Sequence, residues 1–236
     1  MPTHMNCMDM PGDDYRVLGG SRAHGMEVSG SDYDLLVLDS SCTEWPSRRW
    51  YADGCNIISM APEALLHALY DRPLWGALQW VFPREWKSGG GFAAFVRENG
   101  ERFVFGNLPH IRATMEQKIG KIRKAFPGFC AVSRKMTAYA FLFLCFLRDL
   151  PQGKPIADCI RPSGELHDFL IDIRSDAYTT AFLWDAFQRL EAEKDREAAF
   201  FDAPRDEAFF AELKAEMGKY IFLPYTAGNT KEKRNE

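Results

Sequence analysis

The chain contains no apolar run long enough to cross a membrane. Its most apolar segment, AYAFLFLCFL over residues 138–147, has ten residues, against the ~20 that a spanning helix needs. Arg134 and Lys135 lie before it, and Arg148 and Asp149 after it, so it reads as the buried central helix of a helical region. The six cysteines (Cys7, Cys42, Cys55, Cys130, Cys145, Cys159) include no C-x-x-C pair. That spacing is the mark of common zinc sites and thioredoxin-like motifs. With no secretory signal at the start, six reduced thiols in a cytoplasmic chain are the expectation. Internal repeats and low-complexity tracts are lacking as well. Neither sign of charge dominates: 29 basic against 33 acidic residues leave −4. The whole surface is therefore not a cationic coat, and any basic patch must be local.

What is present is ordinary globular material. The 236 residues, 46% apolar and 26% charged, suffice for one large domain or two small ones with a real core. Short strands are expected at 15–18, 33–38, 48–52 and 55–59, the last two joined by Asp53-Gly54, a dipeptide suited to a tight hairpin. A helix starts at Pro62, with Ser59 available to cap it, and a second near Pro73. Ser88-Gly89-Gly90-Gly91 is the clearest flexible point. Beyond it helices are expected at 92–98, 108–126, 132–149, 163–174, 179–199 and 205–218. The expected fold is α+β: a small mixed-sheet domain over 1–90, an all-helical domain over 91–226, and a frayed tail over 227–236.

The informative stretch is GGSRAHGMEVSGSDYDLLVL, residues 19–38. Glycines at a strand's end permit positive φ and let amide N–H groups approach an anion. Ser21 adds a hydroxyl and Arg22 a cation. Eleven residues after Ser21 come Asp32 and Asp34, which project from one face of a strand because side chains there alternate. Two carboxylates side by side repel unless a cation lies between them, and Mg²⁺ is a hard ion that takes oxygen ligands. An anion-binding turn beside a metal-binding pair suits phosphoryl or nucleotidyl transfer. A turn with one capping Asp and one surface ion pair is the plainer alternative; the glycine turn upstream favours the site.

A Gly-Ser pair, about a dozen residues, then D-x-D and an apolar strand resembles the signature of the DNA-polymerase-β-like nucleotidyltransferase superfamily. The string G-S-R-A-H-G … S-D-Y-D-L is similar to its stand-alone bacterial and phage members, some of them associated with RNA repair. A looser resemblance continues through 57–82 and 132–176, including Lys135 and the LPQGKP turn. The resemblance implies a palm-like sheet with two Mg²⁺ (or Mn²⁺) ions on Asp32 and Asp34. It implies NTP phosphates at Gly20 and Ser21, with Arg22 and Lys135 as further phosphate contacts. A hydroxyl, on an RNA or tRNA end, would attack the α-phosphorus and release pyrophosphate. The family's third carboxylate comes from a later strand. Here the nearest acid is Asp53, either that ligand displaced by a bulge or only a hairpin residue. Asn56 is neutral and a poor substitute. A non-catalytic nucleotide- or RNA-binding relative, and an aminoglycoside-type small-molecule nucleotidyltransferase, are the alternatives.

Between Arg112 and Lys135 lie seven basic residues (Arg112, Lys118, Lys121, Arg123, Lys124, Arg134, Lys135) and one acid, Glu116. Lys118, Lys121 and Lys124 share a helix side. They suit either a nucleic-acid backbone or plain solvation. His24 reads as a structural loop residue, and the six tryptophans mainly as core. No oligomeric state is read from the sequence.

Overall fold

In the computed structural model, the described residues are 15–39, 42, 47–52, 54–70, 75–87, 90–125 and 134–221. The sheet is built around YDLLVL, β2 (Tyr33–Leu38). Three consecutive apolar residues in its middle, Leu35, Leu36 and Val37, are all buried, as happens when a strand is covered on both faces. β1 (Tyr15–Leu18) pairs with it antiparallel, and β4 (Cys55–Met60) parallel. β3 (Arg48–Ala52) lies antiparallel outside β4, and a two-residue β5 (Trp86–Lys87) outside β1, giving the order β3-β4-β2-β1-β5. The sheet is therefore mixed, as expected, with one short edge strand that the sequence pattern did not announce.

Register assigns the faces. Asp34, Leu36 and Leu38 of β2 pair with Asn56, Ile58 and Met60 of β4, and Leu36 and Leu38 with Val17 and Tyr15 of β1. These residues share the face that meets the helices. Leu35, Val37, Cys55 and Ile57 form a smaller cluster on the other face.

A single turn, α1 (Gly20–Ala23), follows β1. After β4 the chain is helical: α2 (Pro62–Tyr70), α3 (Trp75–Val81), α4 (Gly90–Glu98), α5 (Gly100–Phe105), α6 (Leu108–Ala125), α7 (Arg134–Asp149), α8 (Ile156–Ile160), α9 (Glu165–Arg174), α10 (Thr180–Asp195) and α11 (Glu207–Ile221). The apolar decapeptide is the middle of α7, and every residue from Ala140 to Leu147 is buried. A helix apolar on all sides must be surrounded. α6, α8, α9 and α10 pack round it, with Phe141 edge-on to Phe169 at 5.2 Å and to Phe187 at 6.0 Å. No helix among the described residues is long and apolar enough to cross a membrane.

Several expectations need correction. The apolar core runs continuously from Tyr15 through Leu36, Leu65 and Phe141 to Leu213. A division at residues 90/91 therefore does not separate two cores. Gly90 and Gly91 open α4 instead of forming a linker; Ser88, Gly89 and the 227–236 tail lie outside the described residues. The expected helix at 179–199 ends at Asp195 and is followed by a 3-10 turn, Ala198–Asp202. Ser59 does not cap α2: it is buried in β4 and donates to Asp39 Oδ2 at 3.1 Å. Trp50 and Trp86 are exposed rather than core. Cys42, Cys145 and Cys159 are reduced thiols, but Cys55 is disulfide-bonded, so the expectation of six reduced thiols does not hold.

Candidate functional site

The glycine turn and the aspartate strand are joined directly. Gly19 N–H donates to Asp34 O at 2.7 Å, which brings the turn after β1 onto β2. Gly20 then takes φ +61, and a Cβ there would lie 1.9 Å from Asp34 Oδ2. Only a residue without a side chain fits against that carboxylate. α1 rises from this point with Ser21 buried in it.

Asp34 stands at the mouth of the helix-facing side of the sheet, half-buried, while Asp32, two residues earlier, is exposed. In register with Asp34 on the parallel neighbour is Asn56, whose Nδ2 donates to Asp34 Oδ1 at 2.6 Å. An amide thus occupies the place beside Asp34 where a third carboxylate would be sought. Asp53 lies outside the described residues; Gly54, at φ +81, sits in the turn between β3 and β4. One strand further out, Tyr51 is in register with Asn56 and 72% exposed.

Arg22 is engaged locally. Its guanidinium donates to Ser31 O at 3.0 Å and Asp32 O at 3.2 Å and lies 3.8 Å over the Tyr33 ring. It therefore braces the segment entering the D-x-D strand. The rest of the 24–31 loop is held from the helical side. His167 Nε2 donates to Gly25 O at 2.9 Å, and Arg174 donates to Met26 O and to Ser31 Oγ. Ser31 Oγ also accepts from Val28 N at 2.9 Å.

His24 is fully buried beneath this loop. Gln79 Nε2 donates to His24 Nε2 at 2.8 Å, which leaves Nδ1 to carry the proton and donate to Ile160 O at 3.2 Å. Burial pushes its pKa down to about 4 against that Ile160 bond, and nearby Arg161 lowers it further. It is a neutral structural residue, as its place in the loop suggested. Its ring meets Tyr139 of α7 edge-on at 5.6 Å.

Tyr139 connects the site to the helices. Burial raises its pKa first; the positive charge of Arg174 opposes that, and the negative charge of Asp34 adds to it. Lys135 lies one helical turn before Tyr139, on the same side of α7. It has no hydrogen bond or ion pair among the described residues.

The structure thus sets Gly20 against Asp34, with Ser21 in the same turn and Arg22 holding the backbone at Asp32. Asn56, Tyr139 and Arg174 join them without having been singled out as site residues. Pairing the two apolar strands in parallel would have placed Asn56. Nothing local marks Tyr139 or Arg174, which arrive from more than 100 residues away.

Among the described residues no group of three or more His, Cys, Asp and Glu side chains converges to hold a metal ion. Two carboxylates still fit Mg²⁺, which takes one or two and completes its octahedron with water and phosphate oxygens. The described donors suit one such ion. No protein-family model matches the chain, and no curated protein matches it.

Proposed function

We propose that the protein is a divalent-metal-dependent nucleotidyltransferase, which moves an NMP from an NTP to a hydroxyl, with an RNA or tRNA end as acceptor. The observation that carries this reading is the Gly20–Asp34 contact: the turn suited to phosphate is packed against a carboxylate suited to Mg²⁺. Asp32 and Asp34 would hold the ion, which would offset phosphate charge and polarise the reacting phosphorus. Gly20 and Ser21 would present backbone N–H groups to the triphosphate. In the reaction a bond forms from the acceptor oxygen to the α-phosphorus. The α–β bridging P–O bond breaks and pyrophosphate leaves. Asp53 is the expected recipient of the hydroxyl proton. Arg22, Arg174 and His167 keep the loop in place, so the two aspartates meet the triphosphate in fixed positions.

A second reading, a relative that binds nucleotide without transferring it, is favoured by Asn56 in the third-acid place. One experiment separates the two: incubation with each α-labelled NTP, Mg²⁺ or Mn²⁺, and total RNA. Labelled RNA from the wild type and none from Asp32→Ala/Asp34→Ala supports transfer. Equal labelling by the double variant refutes the site. NTP binding without labelled product supports the second reading.

A further inference from the structure

Between α6 and α7 lies a cleft of about 220 Å³. Its walls include Lys118, Lys121 and Ile122 of α6 and Met136, Tyr139 and Phe143 of α7. The basic stretch noted in the sequence is sorted by the fold. Arg112, Arg123 and Arg134 are tied to Asp202, Glu191 and Asp176. Lys118 and Lys121 are exposed and have no ion-pair partner among the described residues. Glu116, the one acid of the stretch, is taken by Lys194 at 2.6 Å. Of the four basic residues of the stretch with no ion pair among the described residues, Lys118 and Lys121 line the cleft, while Lys124 and Lys135 do not.

The floor is apolar and aromatic, and Met136 is 46% exposed at its rim. An adaptable thioether and an aromatic ring make a tolerant seat for a flat ring system. The volume is below the roughly 300–1,000 Å³ of pockets for drug-sized ligands, so it takes a base rather than a whole nucleotide. Tyr139 belongs both to this cleft and to the surroundings of Asp34.

We infer that the α6–α7 cleft seats the terminal base of a single-stranded nucleic acid, with its phosphates on Lys118 and Lys121 and its end directed past Tyr139 towards Asp34. Only the naming of that end as the acceptor rests on the nucleotidyl-transfer reading; the binding site does not.

The test is fluorescence anisotropy with a 5′-labelled 12-nucleotide single-stranded RNA, without NTP or metal. Lys118→Gln/Lys121→Gln is expected to bind at least tenfold more weakly. The slope of log K against log salt should fall by about 1.4, two phosphate contacts on a single strand. Met136→Ser is expected to weaken the RNA several-fold while inorganic polyphosphate still binds as before. Arg189→Gln, a loss of one charge on α10 against two in the double-lysine variant, should change neither. Circular dichroism checks that each variant is folded. The inference is overturned if the double-lysine variant binds within twofold of wild type, or if Arg189→Gln weakens binding as much. It is also overturned if Met136→Ser has no effect, because the surface then holds phosphates without seating a base. Wild-type labelling of RNA with unchanged binding by the lysine variant removes the cleft alone. Weakened binding by that variant, in a wild type that labels nothing, removes the transfer reading alone.

Discussion

Replacing Gly20 with Ala tests the packing at the centre of the site. Two costs arise. An L-residue at φ +61 costs about 1–2 kcal/mol in backbone strain. The new methyl would sit 1.9 Å from Asp34 Oδ2, where ordinary contact begins at 3.4 Å, so the carboxylate must retreat. Leaving its rotamer costs about 0.5–1.5 kcal/mol, and weakening the 2.6 Å Asn56 bond to a charged acceptor adds roughly 1.5–3 kcal/mol at most. The expected loss is about 3–6 kcal/mol, or on the order of 10 °C in Tm for a chain of this size. Gly30 is the control: its φ is +82 and a Cβ there meets nothing within 4 Å, so Gly30→Ala pays only the backbone strain. Differential scanning calorimetry of both variants measures the difference. A double-mutant cycle with Asp34→Ala isolates the clash, because deleting the carboxylate removes the atom that the methyl strikes. The expected coupling is about 2 kcal/mol. If Gly20→Ala is no worse than Gly30→Ala, or the cycle is additive within ~0.5 kcal/mol, the turn is not packed on the carboxylate as described.

Asn56→Asp replaces the amide that bonds Asp34 with a second carboxylate. Without metal the variant should lose stability as pH rises through the carboxylate range, and Mg²⁺ should restore it and bind more tightly than to wild type; thermal scans with and without Mg²⁺ measure this, and equal Mg²⁺ responses would count against a metal at Asp34. His24 makes a second pH prediction. Its folded pKa, about 4, lies below the ordinary 6.5. The unfolded chain therefore takes up the proton first. Stability from neutral His24 is complete above pH 6.5 and is lost as pH falls towards 4, by roughly 3 kcal/mol over that interval. Urea unfolding at pH 7.5, 5.5 and 4.5 should show that slope in wild type and a shallower one in His24→Gln; parallel slopes would rule His24 out as its source.

Much of the sheet was readable because its strands are short, apolar and bounded by turn residues. β2 and β3 fall on the expected residues, and β4 runs one residue longer. β5 escaped notice because two residues pairing with Arg16 and Val17 leave no periodic trace. α8, five residues long between Pro155 and Arg161, escaped for the same reason. The shared core was misread because a glycine run resembles a linker until its packing is seen. At the site, the local motif found Gly20, Ser21, Asp32 and Asp34. It could not find the long-range partners: Arg174, His167 and Tyr139 are ordinary helix residues until α7 and α9 are folded against the loop. Asn56 was visible but set aside for lack of charge. Its meaning is a matter of register, which only strand pairing reveals.

The two ends of the sheet have a bearing on how copies of the chain meet. β3, the outer strand beside β4, carries Arg48 and Arg49, both exposed, and β5 at the opposite end is two residues long and bears Lys87. A strand arriving from another molecule would find cationic side chains on one margin and almost no backbone to pair with on the other. Among the described residues, growth of the sheet by strand addition is disfavoured on both margins. The central strands, though rich in Leu, Ile and Val, are shielded from cross-β stacking while the fold holds.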